Sequence, residues 1–363
     1  MSRPLNESPI IPPTLIENRK ADHINIVLEK DVGGKDITTG FERFFIEHNA
    51  LPEVDLDEVD LSLQLWGKTL QAPLLISSMT GGTESAHTIN LNLAEAAQAL
   101  GIAMGVGSQR AAIEQPILGE TYKIRQVAPD IPLFANLGAV QLNYGYGIDQ
   151  ARRAVEMIEA DALILHLNPL QEAVQGEGDR NWKGLYNKIT TLATQLEVPI
   201  IAKEVGNGIS GKVARRLADC GVSAIDIAGA GGTSWSEVEA HRQSDPRRRK
   251  IAHCFAGWGI PTALSLMQVR QTVPELPVFA SGGIRNGIDA AKAIALGATL
   301  VGSAAPLLDA ATHQPQAVYE KFAILLETLK ITTFCAGASN LNELQQVPLR
   351  RTDTWEVINL HHS

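Results

Sequence analysis

"LILHLNPLQEAVQGEGDRNW", residues 163–182, decides how the chain is read. It begins as Leu163-Ile164-Leu165, an apolar run of the kind that a strand buried on both faces requires. His166, Asn168, Gln171 and Glu172 follow at once, and then Glu177-Gly178-Asp179-Arg180. A hydrophobic strand that ends in an imidazole, two amides and a carboxylate places polar groups at its C-terminal tip.

The same grammar recurs along the chain. Eight apolar runs read as buried parallel strands: PLLIS (73–77), IAMGVG (102–107), PLFANLG (132–138), ALILHL (162–167), VPIIAKEV (198–205), VSAIDIAG (222–229), PVFASGG (277–283) and ATLVGSA (298–304). Between them, NLNLAEAAQAL (90–100), ISGKVARRLADC (209–220) and NGIDAAKAIALG (286–297) carry apolar residues at three- and four-residue spacing. The last two reach Cys-Gly and Leu-Gly just before the next strand, where a C-capping glycine belongs. These repeats predict an α/β chain folded as a (β/α)8 TIM barrel over 71–345. Residues 1–70 form an N-terminal extension that contributes substrate-binding residues, and 346–363 form a C-terminal tail. Within the extension, residues 51–73 predict a hairpin leading into the first strand. Residues 318–345 predict one or two closing C-terminal helices.

Composition narrows the class. Of 363 residues, 45% are apolar and 20% charged, and the formal net charge is −9. That charge argues against a nucleic-acid partner, which demands a broad positive field. Cys220, Cys254 and Cys335 share no metal-type spacing, and their odd number points to a reduced, cytoplasmic setting. The N-terminal MSRPLNESPIIPPT has no apolar core of a signal peptide. The longest apolar stretch, Ala293 to Leu308, holds glycines and a proline and is too short for a membrane span. It reads as a helix end, a turn at Gly297 and a strand.

In such barrels chemistry sits at the strand C-termini, and polar groups occupy that place in nearly every repeat. The tips read Ser77-Ser78-Met79-Thr80, Ser108-Gln109-Arg110, Asn136 with Gln141, Lys203-Glu204, Gly229 to Trp235, Ser281 to Arg285, and Gly302-Ser303-Ala304. SGGIR and VGSA after strands 7 and 8 form a phosphate cradle in outline, with glycines that let backbone N–H groups approach an anion. The other tips suit a flavin mononucleotide. Ser77 to Thr80 are small enough to lie against a ring, and Asn136 and Lys203 suit its N and O edge. A cation there favours an anionic, reduced flavin. A second anion site is suggested by Arg19, Lys20 and His23 in NRKADH, with Ser108, Gln109 and Arg110 in GSQR. Glu172 suits Mg²⁺ held through one carboxylate, with water and substrate phosphates as further ligands. Each motif has a plainer reading. NRKADH also reads as a solvated surface run, Lys203 as a structural partner of a carboxylate, Glu172 as an exposed helix-start acid, and His166 as a buried, hydrogen-bonded histidine.

Taken together, NRKADH, ISSMTGG, GSQR, LHLNPLQEAVQGEGDR, KEVGNGIS, AGAGGTSW and SGGIRNGIDAAKAIALGA resemble the type 2, flavin-dependent isopentenyl-diphosphate isomerases, in the expected order from about residue 18 to 340. The resemblance implies interconversion of isopentenyl and dimethylallyl diphosphates in isoprenoid biosynthesis. It also implies reduced FMN, Mg²⁺, NAD(P)H or another reductant, and homo-oligomers of four or eight chains. It assigns FMN contacts to Ser78, Met79, Thr80, Ser108, Asn136, Lys203, Thr233, Gly283, Ile284, Arg285, Ala304 and Ala305. It gives the diphosphate to Arg19, Lys20, Ser108, Gln109 and Arg110, and the metal to Glu172. Gln171, with His166 and Asn168 near it, lies closest to the reacting carbons. Reduced FMN is then the principal acid–base group, Gln171 orients substrate or assists proton movement, and His166 is the alternative carrier. Two departures stand out: about a dozen extra residues precede the Arg-Lys pair, and QGEGD replaces the more familiar QPEGD.

The main rival is an FMN-dependent 2-hydroxy-acid oxidase on the same barrel. It requires a histidine just after strand 6 or 7, and IAGAGGTSW and FASGGIR carry none. A nucleotide dehydrogenase of the inosine-monophosphate type requires a cysteine after its phosphate-binding glycines, where this chain has Thr233-Ser234-Trp235. Trp235 and Trp258 are candidates for the wall facing a prenyl chain.

Overall fold

The computed structural model describes residues 13–358. The first twelve residues of the expected extension and the last five of the expected tail lie outside the described residues. Eight parallel strands close into a barrel in sequence order: β1 (Leu74–Ile76), β2 (Ala103–Gly105), β3 (Leu133–Gly138), β4 (Ala162–Leu167), β5 (Ile200–Glu204), β6 (Ala224–Asp226), β7 (Val278–Ala280) and β8 (Leu300–Ser303). Closure is made by β8 on β1, with Ser303 level with Ile76. Structure and expectation agree on all eight strands.

The inside of the barrel is packed by residues of contrasting size. Ala103, Ala162 and Ala224 leave room for Phe134 and Phe279, which stack at 6.3 Å between centroids. The expected hairpin is present as Leu63–Leu65 paired with Lys68–Leu70. Its turn, Trp66-Gly67, has φ of 48° and 81°, the left-handed pair that a tight two-residue hairpin turn demands. Trp66 thereby reaches Phe134 at 6.0 Å and plugs the N-terminal end of the barrel. The opposite, C-terminal end holds the cavity lined by the strand tips.

Helices cover the outer face of the strands. The helix Glu84–Leu100 starts where Thr83 Oγ1 accepts from the Ala86 N–H and stops at Gly101 in a left-handed C-cap. It buries Ile89, Leu93, Ala97 and Leu100 at helical spacing. The two expected closing helices are Pro315–Cys335 and Leu341–Gln346. Beyond them, Leu349–Arg351 pairs antiparallel with Phe44–Ile46 and with Val357–Ile358, so the tail is stitched to the extension. The extension opens with the helix Pro13–Glu29, and its loop is strapped to the β6 tip by Gly34 N–H to Gly232 O and Ser234 N–H to Val32 O.

Candidate active site

A cavity of about 560 Å³ lies where the strand tips converge beneath the helix Pro13–Glu29. That helix turns Arg19, Lys20, His23, Ile24 and Val27 onto the cavity, so three residues of NRKADH line the site while Asp22 stays exposed. The structure also brings Ser78, Met79, Thr80, Ser108, Arg110, Asn136, His166, Asn168, Gln171, Glu172, Lys203, Thr233, Gly283, Ile284, Arg285, Ala304 and Ala305 to the same cavity. Trp235 lines it, whereas Trp258 is 64% exposed on the surface.

Gln109 is a correction. Expected to offer a donor to phosphate, it is fully buried and does not line the cavity. Its Nε2 donates to Ala154 O at 2.8 Å and its Oε1 accepts the Asn136 N–H at 2.8 Å. Both ends of the amide are spent on bracing the β2 tip against β3 and against the helix Ile148–Ile158.

The residues after β7 and β8 have the shape a phosphate requires. Gly282 and Gly283 have φ of 102° and 77°. A Cβ on Gly282 would lie 2.2 Å from Gly229 O, and one on Gly283 2.5 Å from Thr39 Cγ2, so only glycine fits. The helix Ala305–His313 begins directly after β8, and Gly287–Ala295 begins after β7, capped by Asn286. At the β1 tip the hydroxyls of Ser77 and Ser78 are buried with no hydrogen-bond partner among the described residues. Buried hydroxyls without partners are costly, and a polar ligand resolves that cost.

Lys203 stands on the β5 floor. Its Nζ donates to Glu204 O at 2.7 Å and lies 3.7 Å from Asp226 Oδ2 on β6. Asp226 in turn accepts from Ser281 Oγ at 2.6 Å. Glu204 is committed elsewhere, with one oxygen accepting the N–H groups of Val205, Gly206 and Asn207 at 2.7, 2.7 and 2.5 Å.

The β4 tip carries a connected polar chain. Asn168 Nδ2 donates to Gln171 Oε1 and to Glu172 Oε1, both at 3.0 Å. Gln171 Nε2 donates to Glu239 Oε1 at 3.1 Å. Glu239 also accepts from His23 at 2.9 Å and from Arg242 at 2.9 Å. Burial opposes its charge, but these bonds outweigh burial and hold its carboxyl down at about 2. Glu172 is buried, not exposed; its Oε2 accepts from Gln175 Nε2 at 2.8 Å and from the Asp179 N–H at 2.6 Å. Burial pushes its carboxyl up against the pull of those donors. Asn168 Oδ1 beside it is buried with no partner among the described residues.

Sequence reasoning missed four residues of this region. Glu239 sits one helical turn after Trp235, in the helix Trp235–Arg242. Asp179 accepts from Arg110 at 2.7 Å and from Gln141 at 3.1 Å. Asp226 and Tyr122 are buried behind the wall. Asp226 carried a readable signal, an acid inside the apolar run AIDIA; Tyr122 carried none.

Comparison with known proteins follows the same lines. The family model described as FMN-dependent dehydrogenase matches residues 15–119 and 154–351. The isopentenyl-diphosphate delta-isomerase of Synechocystis sp. is 68% identical over 332 residues, covering 92% of this chain and 95% of the relative. That of Stutzerimonas stutzeri is 58% identical over 333 residues, covering 92% and 96%. Among solved structures, a lactate oxidase from Pediococcus acidilactici superposes with a TM-score of 0.64 at 18% identity, covering 95% of this chain and 96% of that one. A mandelate oxidase with 2-hydroxy-phenylacetamide gives 0.62 at 18%, covering 93% and 98%. At that identity the two oxidases speak to fold alone.

Proposed function

The chain belongs to the FMN-dependent, type 2 isopentenyl-diphosphate delta-isomerase family, and from that premise we propose that it interconverts isopentenyl and dimethylallyl diphosphates, moving a carbon–carbon double bond without net redox change. The observation that carries the reading is the pairing of two anion sites in one cavity. Glycines and helix starts after β7 and β8 suit the FMN phosphate, while Arg19, Lys20 and Arg110 suit a second, substrate diphosphate. The oxidase alternative finds no base in its place. The imidazoles lining the cavity are His23 and His166, from the N-terminal helix and β4, and not from the tips of β6 or β7.

The residues present fit FMN: the glycine cradle, the unpartnered Ser77 and Ser78 hydroxyls, and Lys203 with Asn136 on the floor. When bound and reduced, FMN supplies an electron-rich face with acid–base capacity. Mg²⁺ fits Glu172 beside the unpartnered Asn168 Oδ1, as a hard cation on one carboxylate whose other ligands are water and diphosphate.

The protein's own task is positioning and charge. General acid–base catalysis contributes roughly 10²–10⁴-fold, about 3–6 kcal/mol, too little for an unactivated alkene. Arg19, Lys20 and Arg110 hold the diphosphate far from the reacting carbons, so its binding energy orients the alkene. Gln171, fixed between Asn168 and Glu239, orients the reacting end, and the ionised Glu239 behind it favours the positive charge that develops there. Ile24, Val27 and Trp235 supply an apolar wall for the prenyl chain. NAD(P)H as reductant and homo-oligomeric assembly in the cytoplasm complete the proposal on the strength of the family. Among the described residues, no helix is long and apolar enough to cross a membrane.

The test is an anaerobic incubation with isopentenyl diphosphate, FMN, Mg²⁺ and dithionite or NADPH, read by proton NMR. Dimethylallyl diphosphate is expected only with reductant and metal, with no stoichiometric NADPH consumption. FMN binding without conversion would return the oxidase reading.

A further inference from the structure

Tyr122 is fully buried, ends the turn Pro116–Tyr122, and lies behind the cavity wall. Its hydroxyl donates to Ser108 O at 2.6 Å and accepts from Lys20 Nζ at 2.6 Å. Lys20 Nζ also donates to Ser108 O at 2.9 Å and stands 5.3 Å from the centre of the Tyr122 ring. An ammonium has three N–H groups, so two are committed here and one is left for a ligand. The ring packs directly against the glycines after β1. A Cβ on Gly81 would lie 2.1 Å from its Cε1, and one on Gly82 3.2 Å from its hydroxyl. The adjacent Thr121 Oγ1 accepts the Gly82 N–H at 3.0 Å. The phenol therefore ties three segments together: the N-terminal helix, the glycines after β1 and the loop after β2.

We propose that Tyr122 is a positioning residue for the substrate diphosphate, fixing the Lys20 ammonium at the point where the third N–H meets a phosphate oxygen. This rests on the diphosphate reading of the cavity. A phenol suits the role because it accepts from the ammonium and donates onward to a carbonyl without carrying charge. Burial pushes its own ionisation up and keeps it in that form.

Tyr122→Phe keeps the ring between Gly81 and Gly82 and removes only the hydroxyl. Hydrogen bonds to charged groups are worth enough to change an equilibrium about tenfold. Accordingly KM for isopentenyl diphosphate is expected to rise about tenfold, with the inhibition constant of inorganic pyrophosphate rising in parallel. FMN affinity should hold, and kcat should fall by less than KM rises, since part of the diphosphate's binding energy also orients the alkene. A double-mutant cycle with Lys20→Ala separates positioning from mere support. In the Lys20→Ala background the Tyr122→Phe change should cost little more. An unchanged KM, or an equal penalty with and without Lys20, overturns the inference. Wild-type protein that neither converts isopentenyl diphosphate nor binds pyrophosphate overturns the reading beneath it, and the inference with it. Melting curves of both variants control for folding, and pyrophosphate titration of Lys20→Ala alone shows whether the ammonium binds phosphate at all.

Discussion

His166 Nδ1 and Asn136 Oδ1 lie 2.8 Å apart across the neighbouring strands β4 and β3. An amide oxygen only accepts, so Nδ1 carries the hydrogen and Nε2 is left unprotonated. Burial, reinforced by Lys203, Lys20 and Arg19, pushes the imidazole down to about 4. At neutral pH His166 is thus a neutral, tethered group without a proton to give. Gln171, held by Asn168 and the ionised Glu239, is the better candidate for the reacting end. His166→Asn is expected to keep kcat within about tenfold, while Gln171→Ala falls by about a hundredfold or more, the scale of lost orientation at the reacting carbons. Single-turnover rates with FMN occupancy measured on each variant decide it; the reverse order would make His166 the proton carrier.

If Lys20 holds the substrate diphosphate as proposed, the substrate affinity takes a pH dependence of definite sign. Burial, with Arg19 beside it, pushes its ammonium down to about 7. Below that value the free enzyme already holds the charge that diphosphate needs. Above it, binding must first take up a proton, so KM should climb as pH rises from about 7, by at most about tenfold per unit. Lys20→Arg, whose guanidinium stays protonated throughout, should flatten the profile between pH 7 and 9. A wild-type KM that stays level over that range would place the ammonium outside the binding step.

The barrel was legible because each strand is a short apolar run closed by a polar tip, and PLLIS, ALILHL and ATLVGSA sit where they were read. The tips were legible for the same reason: fold class fixes which end of a strand faces a ligand. What sequence could not show is direction. Gln109 and Arg110 are neighbours, yet one turns into the wall and the other toward Asp179. Glu239 and Tyr122 matter through contacts across 68 and 102 residues, to Gln171 and Lys20, and no local pattern encodes such distances. Asp226 could have been found by the reasoning applied to Lys203, since a charge inside an apolar strand needs a partner.

That pair supports a prediction about the flavin itself. Asp226 Oδ2 has no hydrogen bond among the described residues, and its nearest cation is Lys203 at 3.7 Å. The carboxylate therefore offsets the ammonium on the cavity floor. Asp226→Asn removes the negative charge and leaves Lys203 unopposed, which favours an anionic reduced flavin. The midpoint potential of bound FMN should move upward by about 30 mV or more, roughly tenfold in a two-electron equilibrium. Ser281→Ala, which takes away one of two donors to Oδ1 and leaves the Ala228 N–H at 3.2 Å, should move it less. A downward shift in Asp226→Asn would show that the acid helps the reduced form.

Glu172 is the proposed Mg²⁺ ligand. Among the described residues no three His, Cys, Asp or Glu side chains converge to cage an ion. A divalent cation here must lean on one carboxylate, on water and on the diphosphate it accompanies. Three donors, from Asn168, Gln175 and Asp179, orient that carboxylate, and losing even such supporting contacts typically costs 10–100-fold in metal affinity. Glu172→Gln keeps the volume but removes the charge, and its new amide hydrogens face groups that already donate. The Mg²⁺ concentration for half-maximal activity should then rise about a hundredfold, with FMN affinity unchanged, since Glu172 lies at the β4 tip and the flavin phosphate cradle at β7 and β8. Titration of Mg²⁺ at saturating isopentenyl diphosphate measures this. If Glu172→Gln kept the wild-type Mg²⁺ dependence while losing kcat, the carboxylate would act on the substrate directly and the metal would be held elsewhere.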